Sequence, residues 1–96
     1  MLRFEWDPAK NAENIRKHGV SFEAAQAIFL DDMGILIPDP EHSIGEERFL
    51  LIGAAPETGV CIVSHCYIDK KDSIRFISAR EANKKEKAQY RRQYER

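Results

Sequence analysis

Ninety-six residues, 43% apolar and 32% charged, are the make-up of one folded domain spanning residues 1–96, which excludes a disordered tail and a fold that depends on disulfides or metal. No run approaches the roughly eighteen apolar residues of a membrane span and no apolar signal segment opens the chain, so a cytoplasmic protein with no membrane partner is expected. A net charge of −1 excludes a generally basic nucleic-acid binder, so any polyanion contact must be local.

Leu2 to Trp6 alternates apolar and charged residues, the period of a short strand. Asp7-Pro8 supplies an N-cap and an N1 proline for a first helix, which Gly19 closes as the C′ residue. Ser21 caps a second helix running to about Leu30, with Phe22, Ala25, Ile28 and Phe29 inward, Val20 stapled onto Ala25, and Asp31-Asp32 as the stop. Met33 to Ile37 is a strand closed by Pro38, and Asp39 to Gly45 is an acidic loop. Three strands follow, over 47–54, 60–68 and 73–80, with turns at Pro56–Gly59 and Asp69–Asp72. Asn83 and Glu86 have the spacing of a capping box that opens a last helix reaching about Tyr94. The order β-α-α-β-β-β-β-α predicts an α+β fold: an antiparallel meander packed with two N-terminal helices and a C-terminal helix.

Charge is unevenly spread. Residues 31–60 hold one basic and seven acidic side chains, 61–80 hold four and two, and 81–96 hold six and three. If the last two turns centre on Glu57 and on Lys70/Lys71, paired residues sum to about 114 and 141. Arg48, Cys66 and Arg75 then form one cross-strand row, with Leu50, Ser64 and Ile77 in the next row of that face. Phe49, His65 and Phe76 align on the opposite face, with Glu47, Tyr67 and Ile74 beside them. Arg48 and Arg75 come out roughly 10 Å apart, a span that suits a phosphodiester or an acidic segment. On pattern alone, pairing of each arginine with a local acid such as Glu46, Glu47 or Asp72 stays open.

His65 and Tyr67 have the chemistry for proton transfer, and the alternative for both is packing in the core. Lys10, Asn14, Lys17 and His18 make one polar stripe on the first helix, either a track for a nucleic-acid backbone or a solvated face. Cys61 and Cys66 are an odd number apart in one strand, so they point to opposite faces and cannot bridge. Without Cys-x-x-Cys or His-x-x-x-His spacing, neither a metal site nor a cofactor is expected.

Phe4-Glu5-Trp6-Asp7-Pro8-Ala9-Lys10, Asn14 and Lys17 to Ala25 closely resemble the BrnT toxins of bacterial type II toxin–antitoxin modules. The likeness continues through Glu47-Arg48, Ile52-Gly53, Ile74 to Ala82, Glu86 and Tyr90. It implies a RelE-like fold, a ribonuclease that arrests translation, and neutralisation by a BrnA-type antitoxin. Such antitoxins carry a ribbon-helix-helix part, so operator DNA would be bound only through the complex. The resemblance also implies that Arg48, Arg75 and Arg80 are functional and that the arginine face is the site of RNA cleavage, with the ribosome as a candidate platform; because the chain offers no convincing ligand cluster, metal-independent cleavage is expected. The last helix, basic and thinly apolar, would offer Lys84, Lys85, Lys87 and Arg91 to an acidic antitoxin segment. A non-enzymatic interaction module, acting as a co-repressor within a DNA-binding complex, is the alternative from a different class.

Overall fold

A computed structural model describes residues 2–68 and 73–94. The predicted turn at Asp69–Asp72 lies outside them. The elements are β1 (Arg3–Glu5), α1 (Pro8–His18), α2 (Phe22–Ala25), β2 (Ile35–Pro38), β3 (Arg48–Ala55), β4 (Gly59–Ile68), β5 (Ser73–Glu81) and α3 (Lys84–Arg91). One five-stranded sheet carries them in the order β1-β5-β4-β3-β2.

The meander β2 to β5 is antiparallel as expected, but β1 adds to β5 in parallel, pairing Phe4 with Ile74. The sheet is therefore mixed. A chain that leaves β1 through two helices re-enters at the far edge, so the first strand meets the last one running the same way. The second helix is also shorter than its pattern suggests. After Ala25 the chain tightens into a 3-10 turn over Gln26–Leu30. That turn sits against β3, where a Cβ on Gly53 would lie 3.1 Å from both the Cβ and the carbonyl oxygen of Ile28. A side chain here would force β3 and the turn apart by a few tenths of an ångström.

Local chemistry sets the helix ends. Asp7 accepts from the Ala9 amide, Gly19 closes α1 at φ 72°, and Ser21 accepts from the Ala24 amide. Asn83 and Glu86 form the full capping box.

Between α1/α2 and the sheet lies the main core of Phe22, Ala25, Ile28, Leu51, Cys61, Val63, Ile74, Phe76 and Ala79. The Phe76 ring has its centroid 5.4–5.7 Å from those of Phe4, Trp6, Phe22 and Phe29. Such edge and stacked contacts add to the burial itself. On the opposite face Tyr90 of α3 packs on Ile52 and Ile62. Cys61 and Cys66 are both buried and free, and burial pushes both thiols above their ordinary range.

Asn14 is buried within α1. Its amide nitrogen donates to the carbonyls of Val20 (2.9 Å) and Ala79 (2.7 Å), while its oxygen accepts from the Ala79 amide at 3.0 Å. A side-chain amide here takes the place of a neighbouring strand. β1 stops short of this part of β5, and Asn14 satisfies backbone groups that would otherwise be orphaned.

The pairing of β4 with β5 is interrupted once. Ser64 pairs with Ser78, but His65 pairs with Phe76, leaving Ile77 as an extra residue. The unbroken register expected from the turns puts Ile77 opposite Ser64; the bulge gives that place to Ser78. Side chains alternate along a strand, so one extra residue inverts every position beyond it. Phe76 and Ala79, three apart, consequently share one core.

Candidate functional site

On the face away from α1, the row Arg48–Cys66–Arg75 forms as the turn-centred register predicts, as does the row Phe49–His65–Phe76 on the other face. Beyond the bulge, Ser78 and Arg80 join the face of Arg48 and Ser64. There Arg48, Ser64, Ser78, Arg80, Leu50 and the loop residues Asp39 and His42 line an open groove of ≈350 Å3.

Arg48 brings a guanidinium whose Nε is buried and, among the described residues, without a hydrogen-bond partner; a carboxylate oxygen of Glu46 is 3.7 Å away. A buried donor left unpaired is costly, and an anion near it relieves part of that cost. Arg80 makes a two-pronged ion pair with Glu86, both contacts at 2.9 Å. Arg80 holds Glu86 below the usual carboxylate range, against the opposing effect of burial.

His42 enters from a 3-10 turn over Pro40–His42. Its Nδ1 lies 2.9 Å from Asp39 Oδ2. Paired with a carboxylate oxygen, Nδ1 is the donor nitrogen, and in the neutral ring Nε2 is then the acceptor. The loop is clasped to β3: the Asp39 amide donates to the Arg48 carbonyl at 2.9 Å. Ser43 Oγ donates to the Asp39 carbonyl at 2.7 Å and accepts from the Arg48 amide at 2.9 Å. Gly45 turns the chain back at φ 84°, a left-handed conformation that favours glycine. Imidazole and guanidinium are thus fixed to one stretch of backbone.

The remaining expected residues go elsewhere. Arg75 pairs with Glu5 at 3.3 Å, both side chains 49% exposed, and lines a separate groove with Trp6, Asp7 and Lys10. His65 lies on the opposite face, fully buried against Phe29, Phe49 and Tyr67. Its Nδ1 donates to the Val63 carbonyl at 3.2 Å and its Nε2 has no partner among the described residues. Burial depresses its basicity, partly offset by that hydrogen bond. Tyr67 is half-exposed on the same face as His65, and burial raises its pKa. Neither side chain reaches the groove of Arg48 and Arg80.

Lys10, Lys17 and His18 flank a smaller groove that shares Ile77 and Ser78 with the arginine groove. Asn14, the fourth residue of that stripe, is turned inward. Lys84, Lys85 and Arg91 are exposed on α3, whereas Lys87 pairs with Glu81 at 2.7 Å. The helix is held more firmly than its thin apolar stripe suggests. Tyr90 donates to Asp31 Oδ2 at 2.5 Å, and Gln93 donates to the Met33 carbonyl at 2.7 Å. Burial raises the Asp31 carboxyl, yet hydrogen bonds from Tyr90, Ala54 and Met33 outweigh it and hold the group below its ordinary range. His42 is the candidate that reading for strand rows passes over. Its signal is Asp39-Pro40-Glu41-His42, an acid and a histidine three apart on a proline-opened turn.

Residues 6–86 match the family described as ribonuclease toxin, BrnT, of type II toxin–antitoxin system. The crystal structure of the Brucella abortus ribonuclease toxin BrnT is similar, with a TM-score of 0.68 and 24% identity over 88% of this chain and 100% of that one. At that identity the likeness concerns the fold: an α+β domain with a five-stranded mixed sheet and three helices. No curated protein matches the chain significantly.

Proposed function

The chain belongs to the family of BrnT ribonuclease toxins of type II toxin–antitoxin systems, and we propose that it cleaves RNA in the groove shared by Arg48, Arg80 and His42. The observation that carries this reading is the meeting of two guanidiniums and an Asp-oriented imidazole along one open groove. RNA brings its own nucleophile, so the reaction needs a base and charge stabilisation and no metal. His42 Nε2 takes the 2′-hydroxyl proton as that oxygen attacks the adjacent phosphorus. Arg48 and Arg80 hold the non-bridging oxygens as charge builds on them. The bond from phosphorus to the 5′-oxygen breaks, that oxygen leaves with the electron pair and takes a proton from solvent, and a 2′,3′-cyclic phosphate remains.

The RNA backbone runs from this groove across Ser78 towards Lys10, Lys17 and His18. Arg75, in the same cross-strand row as Arg48, adds charge two strands away. His65 and Tyr67 support the sheet from behind. The fold is read as a single RelE-like domain, and cleavage as the cause of translation arrest, with the ribosome as platform. The protein partner is a BrnA-type antitoxin with a ribbon-helix-helix part that carries the complex to operator DNA; Lys84, Lys85, Lys87 and Arg91 offer it a basic surface.

Expression without antitoxin is expected to stop growth, and R48A with R80A to restore it while circular dichroism shows a folded chain. Loss of two transition-state contacts corresponds to a fall in cleavage of about 100-fold or more. A folded double variant as toxic as wild type would remove the arginine groove from the mechanism.

A further inference from the structure

We infer that Glu86 is a positioning residue for Arg80: it occupies one edge of the guanidinium so that the other edge is presented to a substrate phosphate. This rests on the ribonuclease reading above and assigns a role within that site to a residue of α3.

A guanidinium is planar and offers two forks, one from Nη1 and Nη2, the other from Nε and Nη2. Glu86 fills the first, taking Nη1 on Oε1 and Nη2 on Oε2, each at 2.9 Å. Nη1 also donates to the Glu81 carbonyl at 3.3 Å. The Nε–H and the outer Nη2–H remain, side by side on one edge, and among the described residues Nε makes no hydrogen bond. That fork matches two oxygens of a phosphate. Arg80 lines the groove and Glu86 does not, and Arg80 is 41% exposed against 19% for Glu86; we assign the free edge to the groove side.

Glu86 is itself held. Its Oε1 accepts from the Asn83 amide at 2.9 Å while Asn83 Oδ1 accepts from the Glu86 amide at 2.8 Å. The start of α3 thereby sets the orientation of an arginine on β5. Because Glu86 is an anion, it works against phosphate binding as it improves aim. Binding and turnover should therefore respond to its loss in opposite directions, a signature that a merely structural ion pair lacks.

The test uses the full antitoxin-free chain and the variants E86A, R80A, E86A/R80A and N83A. N83A removes the helix cap and keeps the carboxylate, so it separates helix stability from positioning. E86A is expected to lower kcat by about 10-fold or more with KM unchanged or reduced, as misaligned charge stabilisation predicts. E86A/R80A should be no slower than R80A, because the two side chains act as one unit. N83A should stay within about 3-fold of wild type in kcat, since a weakened cap leaves the ion pair in place. The independent readout is the Arg80 Nε–H signal in nitrogen-edited NMR on adding a 2′-deoxy oligonucleotide, which binds and cannot be cut. It should shift in wild type and not in E86A.

A wild-type chain that shifts the signal and cuts no RNA would overturn the ribonuclease reading and leave the positioning role standing. A wild-type chain that cuts RNA, with multiplying losses in E86A/R80A or an Nε–H signal that ignores the oligonucleotide, would overturn the positioning role alone. Faster cleavage by E86A would also overturn it, by making Glu86 a mask.

Discussion

Arg48 and Arg80 share one face of the sheet because β5 carries an extra residue, Ile77, between the rows in which they pair. Arg48 pairs with Cys66 and Cys66 with Arg75, ahead of the bulge; Ile62 pairs with Arg80 beyond it. Were Ile77 paired in regular alternation and not bulged, Arg80 would share the parity of Phe76 and turn into the aromatic core, where an unpaired guanidinium is prohibitive. The bulge also sets Ala79 against Phe22 and gives Asn14 the backbone it bonds.

Asn14→Ala is expected to destabilise the fold by about 2–4 kcal/mol, because it leaves the Ala79 amide and carbonyl buried without partners. Urea denaturation measures this, and binding of a 2′-deoxy oligonucleotide under native conditions should stay near wild type. Unchanged stability with weakened binding would instead make Asn14 a contact to RNA.

His65 ties stability to pH. Burial pushes its pKa below the ordinary value of 6.5, so the unfolded chain takes up a proton near that pH while the folded chain still resists. Its stabilising contribution is full above about pH 6.5 and falls as the pH drops through the interval below it. The melting temperature should decline between pH 7 and pH 5, and His65→Leu should flatten that decline while leaving cleavage at neutral pH in place. An equally steep decline in the variant would assign the effect to other groups.

Tyr90→Phe is expected to cost about 1–3 kcal/mol, since the hydroxyl satisfies a carboxylate that also caps the amides of Met33 and Ala54. Thermal unfolding checks it. No loss would mean that the Tyr90–Asp31 hydrogen bond does not help to hold α3.

Much of the fold can be read from local chemistry. Asp7-Pro8, Gly19, Ser21 and the Asn83/Glu86 pair mark helix ends through hydrogen bonds within a few residues, and turn-centred registers give the rows containing Arg48 and His65. What escapes such reading is non-local. Nothing near Ile77 announces a bulge, and the contact that accompanies it comes from α1, where Asn14 binds Ala79 from 65 positions away. The parallel pairing of β1 likewise depends on how two helices return the chain. For the site, strand patterns favour residues inside strands, and so pick out His65, which is sealed. They overlook His42, which is placed in the groove by a loop that Ser43 clasps to β3.

His42→Ala is expected to reduce cleavage by about 100- to 10,000-fold, the range for a lost general base, with the melting temperature little changed because the imidazole is exposed. Activity equal to wild type would move proton transfer to another group.

The most direct test of RNA cleavage in the groove of Arg48, Arg80 and His42 is mass spectrometry of an RNA oligonucleotide incubated in EDTA with antitoxin-free protein. Attack by the 2′-hydroxyl predicts fragments ending in 2′,3′-cyclic phosphate and 5′-hydroxyl, formed by the wild type and absent with R48A/R80A. Fragments ending in 3′-hydroxyl and 5′-phosphate, or cleavage that disappears in EDTA, would contradict it.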